Sequence, residues 1–278
     1  MNKSITAHCL VRNEERWVWY AIMSVIEYVD KILVFDTGST DRTVEIVKSI
    51  KSPKIIFEEK GIVGKKGFTG LRQEMLDRTE TEWFMVLDGD EVWTKVAIEA
   101  LMKAIGKAKA QERAVIVGHW ACVGDVWHYS QIMEELINPQ APLGLKGWRS
   151  ARGMRKFPGL QTTNSYPLES YVDEKGVNAS EWERKRLIFI KEKFFHMTFL
   201  RRSATIKQDR QVMMRGPKIR FVKGRAFSEG MEYPEVFHLA RPKIVPDPWG
   251  RLNWGDQVRG VYYRGLNAWN RYIRKRNT

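Results

Sequence analysis

An α/β fold built on a mostly parallel sheet is the architecture this sequence predicts, and three segments carry that prediction. Residues 5–11, 31–35 and 83–87 are near-continuous apolar runs, the pattern of strands covered on both faces. Each runs into a polar loop: Arg12-Asn13-Glu14-Glu15, Asp36-Thr37-Gly38-Ser39-Thr40-Asp41 and Asp88-Gly89-Asp90-Glu91. Helical spacing follows the first loop in Trp17, Val18, Ala21, Ile22, Val25, Ile26 and Val29. It follows the second in Val44, Ile46, Val47 and Ile50, with Ser39 or Thr40 placed to cap that helix. A β-α-β-α order winds a parallel sheet with right-handed crossovers. Ligands in such sheets sit beyond the carboxyl ends of the strands, so the three polar loops are expected to line one crevice.

The third loop carries the most chemistry. Gly89 lets the backbone turn sharply, so Asp88 and Asp90 can present oxygens to one hard cation such as Mg²⁺ or Mn²⁺. The same tripeptide is also an ordinary turn, and its meaning rests on its neighbours. Between the second and third loops, Gly61, Gly64, Gly67 and Gly70 stand three apart around Lys65-Lys66, which predicts a flexible loop over residues 58–70 beside the crevice. No Gly-x-x-x-x-Gly-Lys-Ser/Thr is present and no Gly-x-Gly-x-x-Gly follows a strand, so ATPase and dehydrogenase readings gain no support.

Four motifs in this order, Val11-Arg12-Asn13-Glu14-Glu15, Asp36-Thr37-Gly38-Ser39-Thr40-Asp41-Arg42-Thr43, Arg72 and Leu87-Asp88-Gly89-Asp90-Glu91, resemble the nucleotide-sugar-binding half of a family 2 glycosyltransferase with the GT-A fold. The resemblance spans residues 4–110. It implies that the Asn13 loop, with Glu14, and Asp36, with Gly38 and Ser39, contact the nucleoside of a UDP- or GDP-sugar. It also implies that Arg72 approaches the nucleotide, and that Asp88-Gly89-Asp90 is an Asp-x-Asp motif gripping the diphosphate through Mn²⁺ or Mg²⁺. The residue types suit that role. A nucleoside diphosphate leaves only when its developing charge is neutralised, as a divalent Lewis acid does. Asp36 can accept hydrogen bonds from base or ribose, and Arg72 offers a fork of donors.

Two further sites are expected in the second half. His196, in the apolar segment 191–200, is the candidate third metal ligand beside Asp88 and Asp90, because in enzymes of this resemblance a histidine from the second half often completes the metal shell. His238, in Val236-Phe237-His238-Leu239, competes for that place. An inverting transfer also needs a base for the acceptor hydroxyl. Glu169 is the first candidate, with Asp173 and Asp125 behind it; residues 152–169 resemble only faintly the arginine-then-His-Glu region of related bacterial enzymes, since Tyr166-Pro167-Leu168 precedes the glutamate without a histidine.

Composition frames these sites. The 278 residues, 43% apolar and 12% aromatic, suffice for one large α/β core with an elaboration. The expected division is a donor-binding half, 1–110, and an acceptor-binding half, 111–278. No run of 18 apolar residues suggests a membrane span and nothing reads as a signal peptide. Cys9 and Cys122 are expected as buried small residues, not a disulfide framework, which points to a cytoplasmic setting. Charge divides unevenly: residues 1–110 hold 17 Lys plus Arg against 17 Asp plus Glu, whereas 111–278 hold 30 against 16 and supply the whole net charge of +14.

The acceptor is therefore expected to be anionic. Clusters at Arg149-Arg152-Arg155-Lys156, Arg184-Lys185-Arg186, Arg201-Arg202 and Arg215-Lys218-Arg220-Lys223-Arg225, interleaved with aromatics, favour modified DNA such as a hydroxymethylated base. A lipid-linked or cell-surface glycan, made by an enzyme peripheral at the inner membrane surface, is the alternative. The stripe Val258, Tyr262, Leu266, Trp269 and Ile273 suits core packing or that surface. A non-catalytic sugar or nucleic-acid binding module would require the Asp-Gly-Asp cluster to be idle.

Overall fold

The computed structural model describes residues 3–136, 140–142, 144–166, 168–219, 222 and 224–251. Its first part is the expected alternation: β1 (Ile5–Val11), α1 (Val18–Met23), β2 (Lys31–Asp36), α2 (Thr43–Ser49), β3 (Ile55–Glu59), α3 (Lys65–Asp77) and β4 (Trp83–Asp88). β1 pairs in parallel with β2 and with β4, and β2 in parallel with β3. The register sets Val11 opposite Asp36 and Leu10 opposite Asp88. The three polar loops therefore leave the sheet at one level, as crossover connections of one hand require.

The chain continues as β5 (Glu91–Val92), α4 (Lys95–Lys107), β6 (Ala114–Val123), β7 (Asp125–Tyr129), α5 (Gln131–Glu134), β8 (Arg149–Arg155), β9 (Gln161–Thr163), β10 (Ser170–Val172), β11 (Leu187–His196), α6 (Ile206–Gln211) and β12 (Arg225–Ala226). β8 runs antiparallel between β4 and β6. β11 lies parallel to β6 and ends antiparallel to β5, with His196 opposite Glu91. The sheet thus continues across residue 110, and the two expected halves share it.

Side-chain alternation explains the layering. Along β4, Met85 and Leu87 join the cluster that α1 and α4 cover, while Phe84 and Val86 face the other side with Ile116, Met154 and Trp182. α4 starts at Thr94, whose hydroxyl accepts the Ala97 amide at 3.3 Å. Its buried Ala97, Ile98, Leu101 and Ile105 form one helical stripe.

Three local expectations change. Residues 65–77 are helix, so the predicted loop shrinks to residues 60–64. Burial of Thr69, Arg72, Met75 and Leu76 along one face outweighs the cost of Gly67 and Gly70, about 1 kcal/mol each relative to alanine. α2 starts at Thr43 instead of beside Ser39, because Asp41 Oδ1 takes the Thr43 amide at 3.0 Å while the Ser39 hydroxyl turns to Asp36. The helix after β1 is regular only over Val18–Met23. Cys9 and Cys122 are buried and free. Among the described residues no helix is long and apolar enough to cross a membrane. The stripe 258–273 lies outside the described residues.

Gly89 shows how tightly the loops are packed. A Cβ there would lie 2.9 Å from both Glu14 Cγ and Val11 Cγ1, so any larger residue pushes the first and third loops apart. Overpacking of this kind costs about 1–3 kcal/mol. Gly89→Ala should lower the unfolding free energy by that amount in urea denaturation, and an unchanged midpoint would contradict the close approach.

Candidate active site

Asn13 adopts the left-handed region, with φ +54°, which is uncommon outside glycine and found where surroundings enforce it. Its amide donates to Ser39 Oγ at 2.8 Å, its Oδ1 accepts the Thr40 amide at 2.7 Å, and its Nδ2 donates to the Gln208 carbonyl of α6 at 3.0 Å. Asp36 Oδ2 accepts the amides of Gly38 and Ser39 at 3.0 and 2.9 Å, and Oδ1 takes the Ser39 hydroxyl. Gly38 has φ +85°, which only glycine adopts at little cost. Asn13, Asp36, Gly38 and Ser39 are therefore brought together as expected. Their polar groups shape the two loops and bind them to α6.

The third loop separates its two aspartates. The Asp88 side chain is 33% exposed; it takes Arg72 Nη2 at 2.7 Å and lies 3.4 Å from Arg152 Nη2. Asp90 is 2% exposed, and its Oδ2 lies 2.9 Å from Arg202 Nη2 and 3.2 Å from His196 Nε2. Arg152 also grips Glu91. Arg202 reaches Glu14 Oε1 at 3.2 Å, Arg215 clamps the same carboxylate, and Arg215 Nη1 donates to the Asn13 carbonyl at 2.5 Å. Glu14, Asp88, Asp90 and Glu91 are thus interleaved with Arg72, Arg152, Arg202, Arg215 and His196.

Proton affinities follow from this arrangement. Burial alone would raise Asp88 and Asp90, but Arg72 and Arg152 hold Asp88 below the ordinary aspartate range, and Arg202 with His196 hold Asp90 well below it. Burial outweighs the guanidiniums at Glu91 and Glu14 and pushes both upward.

Asp90 and His196 are the donor pair that fits a divalent cation. Asp90 Oδ2 is buried, with Arg202 Nη2 as its nearest cation at 2.9 Å. Its 3.2 Å separation from His196 Nε2 is near that of two neighbouring ligands each about 2.1 Å from one octahedral ion. Among the described residues no three His, Cys, Asp or Glu side chains cluster tightly enough to hold an ion, so Asp88, taken by two arginines, stands apart from that pair. His238 is exposed on a helical turn and packs on Trp249, with ring centroids 5.1 Å apart; it does not join Asp90.

The base candidates also separate. Asp173 closes a turn, accepting the Lys175 and Val177 amides at 3.0 Å each and Arg186 Nη1 at 2.8 Å. Asp125 pairs with His128 at 2.6 Å on β7. Glu169 instead lines a cavity of about 1070 Å³ that runs from Arg72, Asp88 and Arg152 past Tyr171 to Trp148 and Arg149. Its Oε2 is buried without a partner, and burial raises its pKa. Glu91 is anticipated only as part of its motif, and Arg152, Arg202 and Arg215 only as basic clusters for an anionic acceptor, whereas they pair with the acids of the three loops. The signal for them was the concentration of acids at three strand ends, which burial obliges the chain to balance.

The profile of Glycosyl transferase family 2 matches residues 9–163. An uncharacterized glycosyltransferase of Rickettsia bellii is 32% identical over 95 residues, 34% of this chain and 30% of that protein. The SPbeta prophage-derived glycosyltransferase SunS of Bacillus subtilis is 30% identical over 93 residues, 33% of this chain and 21% of that protein. The chain thus spans about 30% of the length of the first curated relatives it matches. Among solved structures, S. aureus TarS 1-349 in complex with UDP-GlcNAc is similar at 15% identity and TM-score 0.46, over 75% of this chain and 65% of that one. Glucosyl-3-phosphoglycerate synthase from Mycobacterium tuberculosis, with Mn²⁺, UDP and glucosyl-3-phosphoglycerate, is similar at 17% identity and TM-score 0.39, over 55% and 57%. Since the profile match takes in more than half of its residues, the chain belongs to glycosyl transferase family 2.

Proposed function

We propose that this chain moves a sugar from a UDP- or GDP-sugar to an acceptor hydroxyl at the Asp88 end of the cleft, with inversion at the anomeric carbon. The observation that carries the reading is the convergence, at one sheet edge of a family 2 chain, of the Asn13 and Asp36 loops, Asp88 with Arg72 and Arg152, and the Asp90–His196 pair. Asp90 and His196 would hold Mn²⁺ or Mg²⁺, which would supply Lewis-acid neutralisation of the leaving diphosphate. Arg72 and Arg152 present guanidiniums on either side of Asp88, where phosphate oxygens profit from bidentate donors. The nucleoside is positioned by the loops that Asn13 and Asp36 shape, with Glu14 anchored beneath them by Arg215.

Glu169 is the base of this proposal. Its Oε2 takes the proton from the acceptor hydroxyl as that oxygen bonds to the anomeric carbon, and the bond to the diphosphate breaks with its electron pair leaving on phosphate. The acceptor is read as anionic. Part of the positive charge of the second half is used internally, by Arg152, Arg186, Arg202 and Arg215. This weakens the case for a long polyanion such as hydroxymethylated DNA and favours a glycan, lipid-linked or at the cell surface, entering the cleft. Attachment to the inner face of a membrane belongs to that same reading.

Calorimetric titration of the full chain with UDP tests the donor site. Affinity should rise with Mn²⁺, and Asp90→Asn or His196→Ala should weaken the Mn²⁺-dependent part by about 10- to 100-fold, whereas His238→Ala should bind like the wild type. Equal UDP affinity in excess chelator would reject the metal assignment.

Glu169→Gln keeps shape but cannot accept a proton. Turnover should fall by about 10² or more with UDP affinity intact. Because the base must be ionised and burial raises its pKa, wild-type activity should climb with pH through a midpoint above the ordinary 4.5. A Glu169→Gln enzyme with full turnover would remove Glu169 from the reaction.

A further inference from the structure

The end of the cleft away from Asp88 holds a charge arrangement that sugar transfer leaves unused. Arg149 lines this end and is 7% exposed. Its Nη1 donates to the Ile190 carbonyl at 2.8 Å, its Nη2 to the Lys146 carbonyl at 3.4 Å, and its Nε is buried without an acceptor. Glu134 and Glu192 act on Arg149 only at longer range. Glu134 is already taken, because Lys193 Nζ lies 2.5 and 2.6 Å from its oxygens and 4.0 Å from the Trp120 ring centroid. Lys193, 11% exposed, therefore holds the one close carboxylate, and among the described residues Arg149 makes no salt bridge.

Space for the guanidinium is built in. A Cβ on Gly118 would lie 3.2 Å from both Arg149 Cζ and Lys193 Cγ, so glycine is what lets both side chains lie on this face of β6. An arginine stays charged even when burial lowers its pKa, as it does here. A buried charge without a counter-charge is costly, and at a cleft wall a ligand oxyanion relieves that cost.

We propose that the Arg149 end of the cleft is an anion subsite that selects a carbohydrate acceptor bearing a carboxylate or a phosphate. The proposal rests on the glycosyl-transfer reading and adds the chemistry of the acceptor. Arg149 stands three residues from Arg152 on β8, and with Arg152 bulged the two positions lie less than about 10 Å apart along the strand, at about 3.3 Å per regular residue. Between the two ends, Val86, Ile116 and Met154 give an apolar floor, and Tyr171, whose buried hydroxyl has no partner, gives a polar tip. Apolar surface with a few placed polar groups suits sugar rings.

The experiment titrates the full chain with glucuronic acid, glucose 6-phosphate and glucose, and separately with UDP and Mn²⁺. At least one acidic sugar should bind tenfold or more tightly than glucose. That preference should disappear in Arg149→Met and fall in Gly118→Ala, which keeps the charge but crowds Cζ, while UDP affinity stays at the wild-type value in both. Gly118→Ala keeps the test decisive should Arg149→Met fold poorly, as a thermal melt reports. Equal binding of the three sugars, or an acid preference that survives both substitutions, overturns the proposal. So does Arg149-dependent binding of a single-stranded oligonucleotide in place of the sugars. Failure of the wild type to bind UDP would count against the transfer reading instead, and the sugar titrations would still decide the subsite.

Discussion

Four carboxylates crowded at one sheet edge, three of them buried, can coexist only because guanidiniums from distant parts of the chain reach them. Glu14, Asp88, Asp90 and Glu91 arrive on two loops set side by side by the register of β1 and β4. Arg72 comes from α3, Arg152 from β8, and Arg202 and Arg215 from the segment after β11. Removing one partner of such a pair costs about 3–5 kcal/mol, since it strands the other charge. That cost explains several features of the tertiary structure at once. α3 must turn Arg72 inward, β8 must lie next to β4, and residues 202–215 must fold back over the Asn13 loop.

The same network divides labour within Asp-Gly-Asp. Asp88 faces the cleft between two arginines, whereas Asp90 faces inward to His196 and Arg202. Gly89 makes the division possible, because only a residue without Cβ lets the turn press against Glu14 and Val11. The antiparallel pairing of His196 with Glu91 then fixes the imidazole beside Asp90. A strand that begins 99 residues after the end of β4 is in this way registered to it through the two-residue β5, β4 ending at Asp88 and β11 running Leu187–His196 with its last residue at the site. Backbone pairing, not side-chain attraction alone, delivers the histidine.

Much of this was legible in the sequence, and what was not has a physical reason. Apolar runs ending in polar loops marked β1, β2 and β4 correctly, because a doubly covered strand leaves little room for polar residues. His196 could be marked as the polar end of an apolar segment. Glycine spacing misled at residues 65–70, where a buried helical face overrode local propensity. Asp36 and Asn13 were read as ligand contacts, yet their hydrogen bonds also build the loops that carry them, a distinction that residue type does not encode. Counting charges in residues 111–278 was least informative, for a tally cannot tell Arg215, clamped on Glu14, from an arginine in solvent. Glu169 and Asp173 flank the three-residue β10, one lining the cavity and the other closing a turn, and neither has a periodic signature.

One irregularity on β8 ties the two ends of the cleft together. Val115 pairs with Gly153 and Ile116 with Ala151, so Arg152 is the extra residue of a bulge. Bulges re-aim a side chain relative to the strict alternation of a strand. Ala151 and Met154 accordingly contribute to the apolar cluster under the cleft, while Arg152 is freed to reach Asp88 and Glu91. Below the bulge the ordinary alternation resumes with Arg149 opposite Gly118, on the face that glycine leaves open. A single inserted residue thus lets one strand serve the acidic edge of the sheet at one end and hold a buried guanidinium at the other. Neither position can shift along the strand without moving the other, and the distance between Arg152 and Arg149 is set by the backbone.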